Sequence, residues 1–371
     1  MASSTHKQQQ HLPNLYGATA APPPTPSGQP NHHLVTSSAT ADALSKLLHR
    51  LPPTLSLPTH RSAPSTASPR TVSFSDPNLK DLLLSSGSKV GFFQLTSHDV
   101  SSQLANSAET ESLSLFELPK EQKESCFPKN WPLGFDADEE EGGDEKGESF
   151  CLDATCSTEL TNLSLSSLRE FTRALEKLGL KIIDTLANAV GFENPIGEDP
   201  TRFCSLMWIL EGLHGDDKPS GGFYPYVIGL QYQIRCQQYS LLSESGWVSV
   251  SPEVDSIMVT LGDIAQVWSN GKLRKVRGRP VAACLDDGNN SRHVSMSLLL
   301  TLPMDSQVAP LLTKVIADDE NASDDEIRDD EIGTEGKKEG RLFRSFSFED
   351  YAWRVYHECL LFKDPLDRYR I

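Results

Sequence analysis

The sequence predicts an α+β chain with a mainly β core, an antiparallel sandwich or barrel supported by helices on either side of it in the chain. Three observations predict this. Short runs of β-type residues follow one another from Phe203 to Leu302 with turn signals and no helical stretch between them. One long amphipathic segment precedes them, and an aromatic-rich segment, Phe343 to Tyr356, follows as a closing helix.

Residues 1–70 read as a mostly disordered tail: the first 40 are rich in Ser, Thr, Pro and Ala and contain no carboxylate. An organelle transit peptide is the other reading of that tail, although Lys7 is its one basic residue before Lys46. Leu44, Leu47, Leu48 and Leu51 give residues 42–51 a helical apolar stripe. The folded part is expected from Thr71, as an N-terminal region 71–200 of helices and strands with an acidic insert at 136–149. In it, Leu79–Ser86 reads as a helix and Gly91–Leu95 as a buried strand. Leu168, Phe171, Leu175, Leu178, Ile182 and Leu186 recur every three or four residues and predict a helix over 167–190. A Ser167/Glu170 capping box is expected at its start and Gly191 at its end.

The core is placed at 201–316. Its strands are Cys204–Leu210, Val227–Ile234, Trp247–Val250, Ser256–Thr260, Ala265–Trp268, Val281–Cys284 and Val294–Leu302. Glu244-Ser245-Gly246, Asn270-Gly271 and Asp286–Asn290 separate them as turns. An acidic, disordered loop is expected at 317–340, then a C-terminal helix and tail at 341–371, with Ser347 as N-cap.

Charge is concentrated in the inserts. The formal net charge is −17, and the runs Asp136–Glu148 and Asp318–Glu339 together carry −15 of it. That balance argues against a nucleic-acid partner. The acidic loops suit solvation, docking to a basic protein, or phosphorylation near Ser323. Seven cysteines without a C-x-x-C pair favour reduced thiols over a disulfide framework or structural zinc. No apolar run approaches the roughly 20 residues that span a bilayer, so no membrane partner is expected. The expected location is intracellular, cytoplasmic first, with nucleus and chloroplast open.

Certain motifs carry a resemblance. Gly91-Phe92-Phe93-Gln94-Leu95-Thr96-Ser97-His98 resembles the N-terminal signature of plant 2-oxoglutarate/iron(II) oxygenases, which ends in Asn-His-Gly; Ser97 and Asp99 depart from that ending. Phe116-Glu117-Leu118-Pro119 with Lys123, then Trp247-Val248-Ser249-Val250, Leu261-Gly262-Asp263 and Trp268-Ser269-Asn270-Gly271, are similar to later segments of the family in the same order. The resemblance covers roughly residues 70–315 and the tail from Phe343. It implies a jelly roll (double-stranded β-helix) in which His-x-Asp and a second His bind iron. An Arg-x-Ser then grips 2-oxoglutarate, because a guanidinium fork matches a carboxylate.

Placed on that pattern, the His-x-Asp position is Tyr224-Pro225-Tyr226, and Gly278 stands for the second His. The Arg-x-Ser falls on His293 and Ser295, with Arg292 one residue off register. Loss of the guanidinium contact would cost 2-oxoglutarate at least about tenfold in affinity. The expectation is therefore a non-catalytic oxygenase-like protein that needs no cofactor and binds a small ligand or a protein. Tyr224, Tyr226, Arg277, Arg279 and His293 are candidates to line a pocket for a small acidic or phenolic ligand. The alternative for Arg277 and Arg279 is pairing with surface carboxylates, with the tyrosines filling space. The competing reading is an active oxidoreductase using iron(II) and 2-oxoglutarate through an unorthodox site at His214, Asp216 and His293. A third is a scaffold acting through its acidic loops.

Overall fold

The long helix α4 (Ser166–Val190) shows how the chain builds its core. Phe171, Leu175 and Ile182 are fully buried on one stripe, and Gly191 closes the helix in the left-handed region at φ 98°, where glycine has no Cβ to clash. The expected capping box does not form. The carboxylate of Glu111 accepts from the Ser167 and Leu168 amides at 3.1 and 2.9 Å, so an acid 56 residues earlier takes the orphan donors. A local motif search cannot see that partner.

The computed structural model describes residues 65–137, 148–153, 163–197, 199–211, 223–244, 246–284, 294–312, 314–315, 339–357 and 364–371. The expected helix at 42–51, most of the acidic insert and nearly all of the acidic loop lie outside these residues. The rest of the fold is one unit within Ser62–Ile371. In order, the strands are β1 (Ser65–Ala67), β2 (Thr71–Ser73), β3 (Phe92–Thr96), β4 (Gly134–Ala137), β5 (Glu148–Leu152), β6 (Cys204–Glu211), β7 (Ile228–Tyr232), β8 (Gln237–Ser243), β9 (Gly246–Val250), β10 (Ile257–Leu261), β11 (Arg277–Cys284) and β12 (Val294–Thr301). The other helices are α1 (Leu79–Lys89), α2 (Ser102–Phe116), α3 (Lys120–Cys126), α5 (Asp263–Trp268) and α6 (Phe348–His357). None of the helices among the described residues is long and apolar enough to cross a membrane.

Two sheets form a jelly roll. The larger has the order β2-β3-β10-β7-β12-β6-β5-β4, and the smaller β1-β9-β8-β11. Pairing is antiparallel except for β2 with β3 and β1 with β9. Because β1 pairs with β9, pairing starts at Ser65, earlier than the expected Thr71. Side chains alternate across a strand, so the large sheet has two faces with different fates. Leu230, Val259, Leu298 and Leu300 point toward the helical layer and are 0–1% exposed. The other face meets the small sheet around a separate, smaller cluster that includes Phe92, Tyr239, Leu241, Val250 and Met258.

Two readings of the sequence change. Ala265–Trp268, expected as a strand, belongs to helix α5, whose six residues are all buried. A segment buried all round, Gln266 included, shows no period to distinguish the two states. The Trp268-Ser269-Asn270-Gly271 stretch is therefore a helix end followed by the expected turn, with Asn270 and Gly271 at φ 48° and 80°. Strand β8 was not anticipated. Conversely, Ser97 and Asp99 depart from the family ending at positions with φ 56° and 59°, the left-handed region that Asn and Gly occupy at least cost.

Gly179 marks where α4 comes closest to the sheet. A Cβ there would lie 2.6 Å from Leu300 Cδ1 and 2.9 Å from Leu230 Cδ1. Gly179→Val is expected to cost about 1–3 kcal/mol by overpacking, read as a lower urea midpoint with unchanged slope.

Candidate functional site

The segment before β7 is held on three sides. Val227 donates its amide to the Leu300 carbonyl at 2.8 Å, Gly262 donates to Val227 O at 3.0 Å, and Ile264 donates to Tyr226 O at 3.2 Å. Thr301 Oγ1 donates to Pro225 O at 2.8 Å. A Cβ on Gly262 would fall 2.0 Å from the Tyr226 carbonyl oxygen, so only glycine permits this approach of the β10–α5 turn.

The two tyrosines expected at the metal-ligand positions are both buried, at 6% and 7% exposure, and they serve different neighbours. The Tyr226 hydroxyl lies 2.9 Å from the Val276 carbonyl, to which it donates, and 3.2 Å from Thr260 Oγ1. Burial pushes its pKa up to about 12 despite the Thr260 hydrogen bond. Tyr224 packs its ring at 5.7 Å from Trp131 and 6.1 Å from Phe348, with its hydroxyl 3.9 Å from the Met304 sulfur. Burial raises its pKa too, with Cys151 and Cys204 adding to the effect. Gly278 sits on β11 opposite Leu241 and brings no donor.

These three positions do not fit an iron ion bound by two imidazoles and a carboxylate. The phenols are held neutral at physiological pH, and the glycine has nothing to coordinate with. Among the described residues, no group of three or more His, Cys, Asp or Glu could hold a metal ion. His214, Asp216, Arg292 and His293 lie outside the described residues, as does the Arg279 side chain. Ser295 is buried, and its Oγ accepts from Gln231 Nε2 at 2.6 Å.

Arg277 was expected to line a pocket or to pair with surface carboxylates; it pairs with carboxylates, but within the fold. Its Nη2 lies 2.8 Å from Asp263 Oδ1, 3.1 Å from Asp364 Oδ1 and 2.9 Å from the Tyr351 hydroxyl. Lys275 Nζ adds a contact to Asp263 at 2.9 Å and one to Asp364. The Asp263 side chain is only 3% exposed. Burial opposes its charge, yet Arg277 and Lys275 together outweigh that and hold its carboxyl well below the usual range. Two cations on one strand approach and two acids from separate elements thus neutralise one another inside the fold. Sequence reading missed this cluster because Asp364 lies 87 residues from Arg277. The one legible signal was a Lys-x-Arg pair shortly after Gly262-Asp263.

Breaking a buried pair from one side leaves charge uncompensated. Asp263→Asn is expected to cost about 3–5 kcal/mol. The depressed Asp263 carboxyl contributes stability above its unfolded pKa of ~3.9 and loses it as pH falls below that value. Acid titration of unfolding should therefore be flatter below pH ~5 in the variant than in the parent. Tyr226→Phe leaves the Val276 carbonyl without its donor and should cost about 1–3 kcal/mol, measured by chemical unfolding.

Comparison with known proteins bears on this arrangement. Residues 71–157 match a family model described as the N-terminal region of the non-haem dioxygenase in morphine synthesis. Gibberellin 2-beta-dioxygenase 1 of Arabidopsis thaliana is 24% identical over 320 residues, covering 78% of this chain and 88% of the relative. 1-Aminocyclopropane-1-carboxylate oxidase 3 of Cucumis melo is 26% identical over 226 residues, covering 54% of this chain and 66% of the relative. Among solved structures, JOX2 in complex with 2OG, Fe and JA superposes with a TM-score of 0.62 at 16% identity, covering 85% of this chain and 94% of that one. The dioxygenase for auxin oxidation of rice superposes at 0.58 with 16% identity, covering 81% and 99%.

Proposed function

We propose that this chain, which belongs to the 2-oxoglutarate/iron(II) oxygenase superfamily, is a non-catalytic member that binds a small ligand within its jelly roll. The observation that carries this reading is the use made of Tyr226. At the place of a metal ligand stands a neutral phenol whose hydroxyl is spent on the Val276 carbonyl and Thr260. Its ring packs against Gly262, where even a methyl group would clash. Restoring a carboxylate at this position would bury a second negative charge near Asp263 and leave the Val276 carbonyl without its donor.

The cosubstrate side supports the same reading. A dianion such as 2-oxoglutarate needs a committed cation where it binds. Arg277 is committed elsewhere, to Asp263 and Asp364. Ser295, the retained member of the Arg-x-Ser pattern, is engaged with Gln231. Neither iron(II) nor 2-oxoglutarate is required by a protein of this kind.

The test is an anaerobic titration of the full chain with iron(II) and 2-oxoglutarate, following the visible charge-transfer band of the ternary complex. The expected outcome is no band at millimolar ligand. A band that disappears in the His214→Ala/His293→Ala variant would overturn the proposal and assign an active enzyme with a relocated metal site.

A further inference from the structure

A helix laid on a twisted sheet stays close to it over only part of its length. For α4 that place is Gly179, above Leu230 of β7 and Leu300 of β12. Its first turns extend over β6 and β5, the next strands toward the β4 edge. There a cavity of about 70 Å³ is left between helix and strands. A single water needs roughly 10–15 Å³ of such space, so the gap takes a small organic molecule.

Strand pairing shows which side of the sheet this cavity is on. Leu152 on β5 is the Cα partner of Met207 on β6, and Met207 is in turn the partner of Leu298 on β12. Paired residues project from the same face, and Leu298 points toward the helical layer. Leu165 and Leu168, at the start of α4, close the cavity from the helix side. The cavity therefore lies on the helix-covered face of the large sheet, away from the space between the two sheets.

Its floor is apolar and its rim is charged. Thr172 Oγ1 donates to the Leu168 carbonyl at 2.8 Å, so that hydroxyl hydrogen is used within the helix. Asp153, Arg169, Arg173 and Glu176 complete the described lining. Glu176 is turned to the sheet, where its Oε2 accepts from Ser205 Oγ at 2.6 Å. Arg173, three residues earlier, is exposed, and among the described residues no carboxylate pairs with it. An unpaired guanidinium thus borders an apolar slot, and its fork matches a carboxylate in two hydrogen bonds.

We infer that this cavity binds a small amphipathic monocarboxylate, its carboxylate on Arg173 and its apolar body against Leu152, Leu168 and Met207. A second acid group on the ligand would meet Asp153 and Glu176, which repel it. The site is distinct from the ligand place proposed within the jelly roll, and neither depends on the other.

The probe is 4-fluorophenylacetate, with 4-fluorophenylacetamide as its neutral counterpart, each titrated against the full chain without iron and followed by fluorine NMR. The expected result is saturable binding of the acid at millimolar concentration or below. The amide should bind more weakly by up to about fivefold, the scale of an exposed ion pair. Arg173→Gln, a change to an exposed side chain, should remove that difference by weakening the acid alone. Thr172→Trp, which fills the cavity, should abolish binding of both, with circular dichroism and thermal unfolding showing that each variant folds. Absence of acid binding overturns the inference, as does equal or tighter binding of the amide. Acid binding unchanged in Arg173→Gln, or retained in a folded Thr172→Trp, overturns it as well. If Thr172→Trp does not fold, the Arg173→Gln comparison decides alone. Failure here leaves the non-catalytic proposal standing, since the iron and 2-oxoglutarate titration reads that one separately.

Discussion

The carboxylate of Asp263 cannot reach water, and the surrounding chain is arranged around that fact. It sits at the first residue of α5, directly after the glycine against which Tyr226 packs. Lys275 and Arg277, on the approach to β11 and at its first residue, supply the compensating charge. Asp364, from the C-terminal turn, completes the balance, and the Tyr351 hydroxyl of α6 joins through Arg277. A buried acid with this cover ties three parts of the chain together: the β10–α5 turn, the start of β11 and the C-terminal segment. Remove it and two cations remain in a low-dielectric setting.

That cluster also explains what the neighbouring positions are free to do. With Arg277 engaged, the one guanidinium described on its strand is taken up by Asp263 and Asp364. The next residue, Gly278, has no side chain, and Tyr226 closes the gap by reaching the Val276 carbonyl. The arrangement is self-satisfied: charge answers charge, and the phenol answers a backbone acceptor. In a site built for metal chemistry, ligand atoms point at an empty centre and stay available. Here the Tyr226 hydroxyl is taken up by a backbone carbonyl, and that of Tyr224 lies beside the Met304 sulfur.

The large sheet shows the same economy on one face and its absence on the other. Toward α4, every leucine and valine of β7, β10 and β12 finds a partner, down to the glycine that lets the helix approach. Between the sheets the apolar cluster is smaller, a space of about 50 Å³ remains, and Ser297 Oγ finds no partner among the described residues.

Much of this was open to reading in the chain itself. The helical stripe from Leu168 to Leu186, Gly91-Phe92-Phe93-Gln94 as a strand and the run of short strands after Phe203 were legible because burial of one face imposes a period. The glycine at Gly278 and the tyrosines at Tyr224 and Tyr226 were legible because residue identity alone limits which donor atoms a position can offer. The partners of those residues were not. Glu111 as the cap of α4, Asp364 as the counterion of Arg277 and the Val276 carbonyl as acceptor for Tyr226 are contacts between segments far apart in the chain. Helix α5 escaped for a related reason, since a fully buried segment shows no alternation. The sequence by itself determined which chemistry the ligand positions can offer; tertiary structure alone decided which charges meet, because Coulomb and hydrogen-bond energies depend on distances that no local pattern encodes.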